Sequence, residues 1–175
     1  MTEYKPEYNL EKIKYATVQR IKIHGDDIKT EPRLIFDACV IINMIQDCKY
    51  RRNVINWQKK QIFMPVVVDT MMDESAKKLN LKPNDIKEEL DQITQKNVQV
   101  IQTERNQKVH DFAQNIANND LKHNCHFPDT KMVCLCIWFG WSTITEDREL
   151  LYSLRDRRIN AYRPDGFGRI TPFCN

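Results

Sequence analysis

Hydrophobic and polar positions alternate in a changing rhythm along this chain. Residues 1–31 are largely polar, and only the stretch YATVQRIKI has strand-like alternation before Gly25, Asp26 and Asp27 make a turn. From Arg33 the pattern sharpens. LIFDACVIINMIQ starts with a short apolar run, meets Asp37, and resumes with apolar spacings that predict a helix to about Gln46. A helix follows over residues 51–60, then a β-branched strand over 62–68 in which Pro65 marks a strand start or an irregularity. Asp69 or Thr70 caps a helix reaching about Leu79, with Asp73 and Glu74 in its first turns, where backbone N–H dipoles favour acids.

After the break at Lys82-Pro83-Asn84, DIKEELDQITQ reads as a helix with Ile86, Leu90 and Ile93 on one face. Residues 98–101 form a short strand, and 104–119 a helix carrying Val109, Phe112, Ala113 and Ile116 on one side. Pro128-Asp129 starts the helix TKMVCLCIWFGW, which Gly140 ends because it accepts positive φ. A strand over 141–145, a helix over 149–154, a strand over 159–162 and a turn-rich tail complete the chain. Strands separated by helices predict an α/β fold: a mostly parallel central sheet covered by helices on both faces. The expected organisation is an N-terminal extension over 1–31, one domain over 32–163 and a C-terminal tail over 164–175.

Composition adds constraints. With 175 residues, 41% apolar and 29% charged, the chain has enough material for one domain with a sizeable core. The longest apolar stretch, VCLCIWFGW, is far shorter than the roughly 20 residues of a spanning helix. The N-terminus mixes acids with bases and has no apolar block, so the expectation is a soluble, cytoplasmic protein without membrane association. A formal charge of +3 permits a polyanionic partner without requiring one. The six cysteines lack C-x₂-C spacing, and the trio His123, Cys125 and His126 is one ligand short of a structural zinc site.

The acids carry the candidate chemistry. Asp37 closes the first core strand, Asp129 opens a helix, Asp147 follows the strand that ends at Thr145, and Glu74 lies early in the helix after the second strand. In open α/β sheets, ligands gather at this carboxyl edge of the strands. Clustered carboxylates repel one another unless protons or cations compensate, and oxygen donors favour Mg²⁺ or Mn²⁺ over zinc. Such an ion activates water and stabilises a phosphoryl leaving group, the requirements of phosphodiester hydrolysis. Each acid also has a simpler role: Asp129 and Asp147 as helix caps, Glu74 answering a helix dipole, Asp37 in a turn. Asp37 fits that account least, because it interrupts LIF and VII.

LIFDACVIINMI, DTMMDES, PDTKMVCLCIWFGW and STITEDREL, in that order over about residues 33–163, resemble the motifs of the PIN domain family, which includes toxin–antitoxin ribonucleases. The resemblance implies a metal-dependent endoribonuclease leaving 5′-phosphate and 3′-hydroxyl ends, with Asp37, Glu74, Asp129 and Asp147 holding Mg²⁺ or Mn²⁺. Asp73 is the neighbouring alternative to Glu74. Thr145 supports this site by hydrogen bonding, and Asn43 lies in a helix packed near it. Ala38 and Cys39 stand where the family often has Thr and then Asn or Ser. The alternatives are a catalytically inactive PIN-like module binding RNA or protein, and a DNA nuclease of related fold. A phosphate-neutralising margin is expected from Lys49, Arg51, Arg52, Lys131, Arg148 and Arg155. Partners implied are RNA, a second copy in a homodimer, and an antitoxin or other protein.

Overall fold

The computed structural model describes residues 33–61, 63–120 and 122–173. The alternating stretch YATVQRIKI lies outside them. Six strands form one sheet: β1 (Arg33–Phe36), β2 (Met64–Val68), β3 (Gln99–Ile101), β4 (Ser142–Ile144), β5 (Ala161–Pro164) and β6 (Ile170–Pro172), in the order β3-β2-β1-β4-β5-β6. Every neighbouring pair is parallel except β5 and β6, which run antiparallel. The sheet is therefore mixed and mostly parallel. Leu34, Ile35 and Phe36 are fully buried, as expected for a central strand covered on both faces.

Among the described residues seven helices flank it: α1 (Ala38–Gln46), α2 (Cys48–Gln61), α3 (Asp69–Leu79), α4 (Pro83–Thr94), α5 (Gln107–Asn119), α6 (Thr130–Phe139) and α7 (Arg148–Asp156). The predicted order of strands and helices from Arg33 to the fifth strand agrees with this arrangement, while several ends shift by two or three residues. α2 begins at Cys48 because the Asp47 carboxylate accepts from the N–H groups of Lys49 and Tyr50. Beyond Thr130 and Lys131 in its first turn α6 is apolar all round, and eight of its ten residues are buried, so it runs through the core. Gly140 ends it at φ 68°.

Val68, and not Asp69 or Thr70, holds the cap position, although Asp69 Oδ1 accepts from the first-turn Thr70 N at 2.9 Å. Asp69 is the first residue of α3, and its carboxylate accepts from Thr103 N at 2.8 Å and Glu104 N at 2.9 Å as well as from the Thr103 hydroxyl. It thereby staples the helix start to the segment after β3. Burial alone would raise this carboxyl, and the hydrogen bonds outweigh it, holding Asp69 below its usual value.

The tail continues the sheet. Asp165 accepts from the N–H groups of Phe167 and Arg169 and turns the chain into β6, and Asn53 of α2 donates to the Phe167 carbonyl at 2.8 Å. At Gly168, φ is +81° and an added Cβ would lie 2.4 Å from the Tyr50 carbonyl oxygen, so only glycine lets the hairpin approach α2 this closely. Among the described residues, no helix is long and apolar enough to cross a membrane.

Candidate functional site

The loops after β1 and β4 lie side by side because their strands are parallel neighbours, with Phe36 opposite Ile144. The Asp37 N–H donates to the Ile144 carbonyl at 3.1 Å, which ties the two strand ends together. Asp37 then caps α1: its Oδ1 accepts from Ala38 N at 2.7 Å. Its Oδ2 accepts from the Thr145 hydroxyl and from the Cys39 thiol, the latter at 3.3 Å. Thr145 Oγ1 in turn accepts from Asp147 N at 3.0 Å, and Asp147 Oδ1 accepts from Glu149 N at 2.9 Å and Leu150 N at 3.4 Å, capping α7. A continuous chain of hydrogen bonds thus joins β1, α1, β4 and α7.

Asp37, Glu74, Asp129 and Asp147 line one cleft of about 360 Å³, completed by Lys78, Cys39 and Glu146 among others. Glu74, and not Asp73, faces this cleft. Asp129 precedes α6 in a helical conformation and makes no capping hydrogen bond, which leaves its carboxylate uncommitted. Burial, followed by the charges of Asp37, Glu74 and Asp147, pushes its carboxyl up to about 7, with Lys78 pulling the other way. Burial also pushes Asp37 up, opposed by its bonds to Thr145, Cys39 and Ala38. Glu146 is raised by burial too, although Asn43 Nδ2 donates to its Oε2 at 2.6 Å. Lys78 lies 3.4 Å from Glu74 in an exposed pair, which offsets little of the accumulated charge.

This arrangement overturns the expectation of a Mg²⁺- or Mn²⁺-dependent endoribonuclease. Among the described residues, no group of three or more His, Cys, Asp or Glu is disposed to hold a metal ion. The physical reason is the commitment of the carboxylates. Both Asp37 oxygens receive hydrogen bonds, one Asp147 oxygen holds a helix terminus, Glu74 leans toward Lys78 and Glu146 toward Asn43. Sharing a cleft differs from converging their oxygens on the 2.0–2.6 Å shell that these hard cations need. The four acids do share one cleft, and it is the Mg²⁺ or Mn²⁺ expected among them, with the activity that depended on it, that is corrected.

The expected basic margin is partly dispersed. Lys131 is 1% exposed; its Nζ donates to Thr70 Oγ1 at 2.7 Å and lies 5.4 Å from the Phe127 ring centre, so it is out of reach of a surface phosphate. Arg155 sits near the far end of α7, at least about 10 Å along the helix from the Asp147 cap. Arg148 is exposed beside that cap. Lys49 lies over the Phe167 ring, and Arg51 and Arg52 line a separate groove between α2 and α4. His123 Nε2 meets Asp156 at 2.6 Å, whereas Cys125 is buried, with its thiol pushed up to about 12, and His126 is exposed.

Sequence reasoning missed Glu146 and Lys78. Glu146 carried a signal, since it lies between Thr145 and Asp147, and Lys78 stands four residues after Glu74 on one helix face. The comparisons add no relative: no protein-family profile matches the chain, and a search of curated proteins found no match.

Proposed function

We propose that this chain is a PIN-like interaction module without metal-dependent catalysis, and that its acidic cleft receives a lysine or arginine side chain of a protein partner. The observation that carries this reading is Asp129. Its carboxyl is pushed up to about 7 by burial and by three neighbouring acids, which marks a cleft short of positive charge. A guanidinium satisfies such a cleft where a small ion does not. Its planar fork of five N–H donors bridges carboxylates several ångströms apart and needs no tight shell of converging oxygens. The four motifs around Asp37, Glu74, Asp129 and Thr145–Asp147 support the PIN-like part of the reading. An RNA backbone is the wrong sign for this cleft.

The test is titration of the full chain with a blocked arginine tripeptide and its citrulline counterpart, followed by NMR at pH 8 and pH 6. The arginine peptide should bind, and the neutral isostere should not. Binding should weaken about tenfold at pH 6, because Asp129 then carries a proton. Asp129→Asn should remove that pH dependence. Equal binding of the two peptides, or none of either, would sink the reading.

A further inference from the structure

We propose that the opposite pole of the sheet carries a nucleotide-binding site, which takes an aromatic base in an apolar cavity and its phosphate on Arg158 and Arg155. Two cavities, of about 420 and 260 Å³, lie at the amino ends of β4 and β5 and share Arg158, Ile159 and Asn160 as a common wall. The acidic cleft lies at the carboxyl ends of β1 and β4, so the length of a strand, about 10 Å, separates the two regions. The larger cavity has the dimensions of a small-molecule pocket. Phe112, Trp141 and Ile137 give it apolar walls; Phe112 is backed by Trp138 at 5.5 Å, and Trp141 packs against Phe139 at 4.8 Å with Arg33 over its ring at 5.7 Å.

Charge selects the ligand's other end. No Asp or Glu is among the described residues lining either cavity. Arg157, which also lines the larger one, is neutralised by Asp120 at 3.1 Å and is not offered as a ligand. Arg155 differs: its guanidinium lies 4.9 Å from the Tyr152 ring centre and 5.4 Å from that of Phe173, and its buried Nε has no hydrogen-bond partner. That Nε is ion-paired with Asp156 Oδ1 at 3.6 Å, too long for a hydrogen bond, and Asp156 is shared with Lys122 at 2.9 Å and His123 at 2.6 Å, so the pair neutralises Arg155 less than Asp120 neutralises Arg157.

Arg158 supplies the second, independent observation. It occupies the residue just beyond the α7 cap at φ 58°, where Arg158 N donates to the Arg155 carbonyl at 2.9 Å and Ile159 N to the Leu154 carbonyl at 3.0 Å. This is the helix-ending motif whose left-handed residue is usually glycine. Here a bulky cation holds that conformation and stands exposed between the two cavities. Two arginines present bidentate donors to a phosphate, and the Asn160 amide offers both a donor and an acceptor to the polar edge of a base. That edge distinguishes a nucleotide from a phosphorylated tyrosine, whose ring has no such groups.

The probes are AMP, adenosine, inorganic phosphate, phenyl phosphate and a single-stranded trinucleotide, read by tryptophan fluorescence at low salt. AMP should quench saturably, with adenosine, phosphate and phenyl phosphate each at least tenfold weaker. Tighter binding of the trinucleotide than of AMP would assign an RNA strand as the source, and equal binding a free nucleotide. Arg158→Gly should lose at least tenfold in AMP affinity while its Tm stays level or rises, because glycine suits the left-handed backbone. Arg155→Met should also lose affinity, and Asp129→Asn should bind AMP as the parent does. No quenching by AMP, phenyl phosphate binding as well as AMP, or undiminished binding by Arg158→Gly would each overturn the proposal.

Discussion

Replacing Asp129 by asparagine should stabilise the protein, and only above a definable pH. Asp129 makes no capping bond and shares its cleft with Asp37, Glu74 and Asp147, so the substitution removes a charge without removing a helix cap. Its carboxyl moves from an ordinary value of 3.8 to about 7 on folding. Because the folded value lies above the unfolded one, the folded chain holds this proton more tightly. The associated stability is fully present below about pH 4, is lost as pH rises from about 4 to about 7, and stays lost beyond. A displacement of that size corresponds to about 4 kcal/mol, and partial access to water reduces the expected effect to about 2 kcal/mol. Urea denaturation of both proteins at pH 5 and pH 8 reads the difference. Asp37, Asp73 and Glu146 are raised in the parent as well, and to first order their contributions cancel in the comparison. Asp129→Asn should exceed the parent by about 2 kcal/mol at pH 8, or a Tm higher by about 4–8 °C, and by about a third to a half of that at pH 5, where the loss has only begun. Equal stability gaps at the two pH values would refute the account of a cleft overloaded with negative charge.

Thr145→Val should cost about 2–3 kcal/mol in the same assay, since it deprives Asp37 of a buried donor and Asp147 N–H of its acceptor. Gly168→Ala should destabilise by at least about 2 kcal/mol through the clash with Tyr50, and hydrogen exchange should show β6 opening first. Millimolar Mg²⁺ or Mn²⁺ should shift Tm by less than about 1 °C, because no described group of ligands rewards the ion; a shift of several degrees would reinstate a metal site. Lys131→Met should leave binding of any anionic ligand unchanged, as its amine is turned inward to Thr70.

Local pattern was enough to read the elements of the core. LIF followed by an acid and a helical repeat allowed little other than a buried strand turning into a helix, and Gly140 at the end of an apolar helix could be recognised by its conformational freedom. The position of each acid at a strand end or helix start was equally legible, because caps and turns are written in consecutive residues. Where the carboxylate oxygens would be spent was not. The bond from Thr145 to Asp37 spans 108 residues, the one from Asn43 to Glu146 spans 103, and the salt bridge from Arg157 to Asp120 spans 37. Those pairings exist because parallel packing sets β1 beside β4 and lays α7 over the loop after α5. Burial worked in the same way: Lys131 and Arg148 look alike in sequence, yet one lies on a helix through the core and the other on a surface helix. A linear pattern reports what a residue can donate or accept; only the assembled sheet and its helices decide which partner arrives, how much water remains, and so whether four acids converge on one point or only share a cleft.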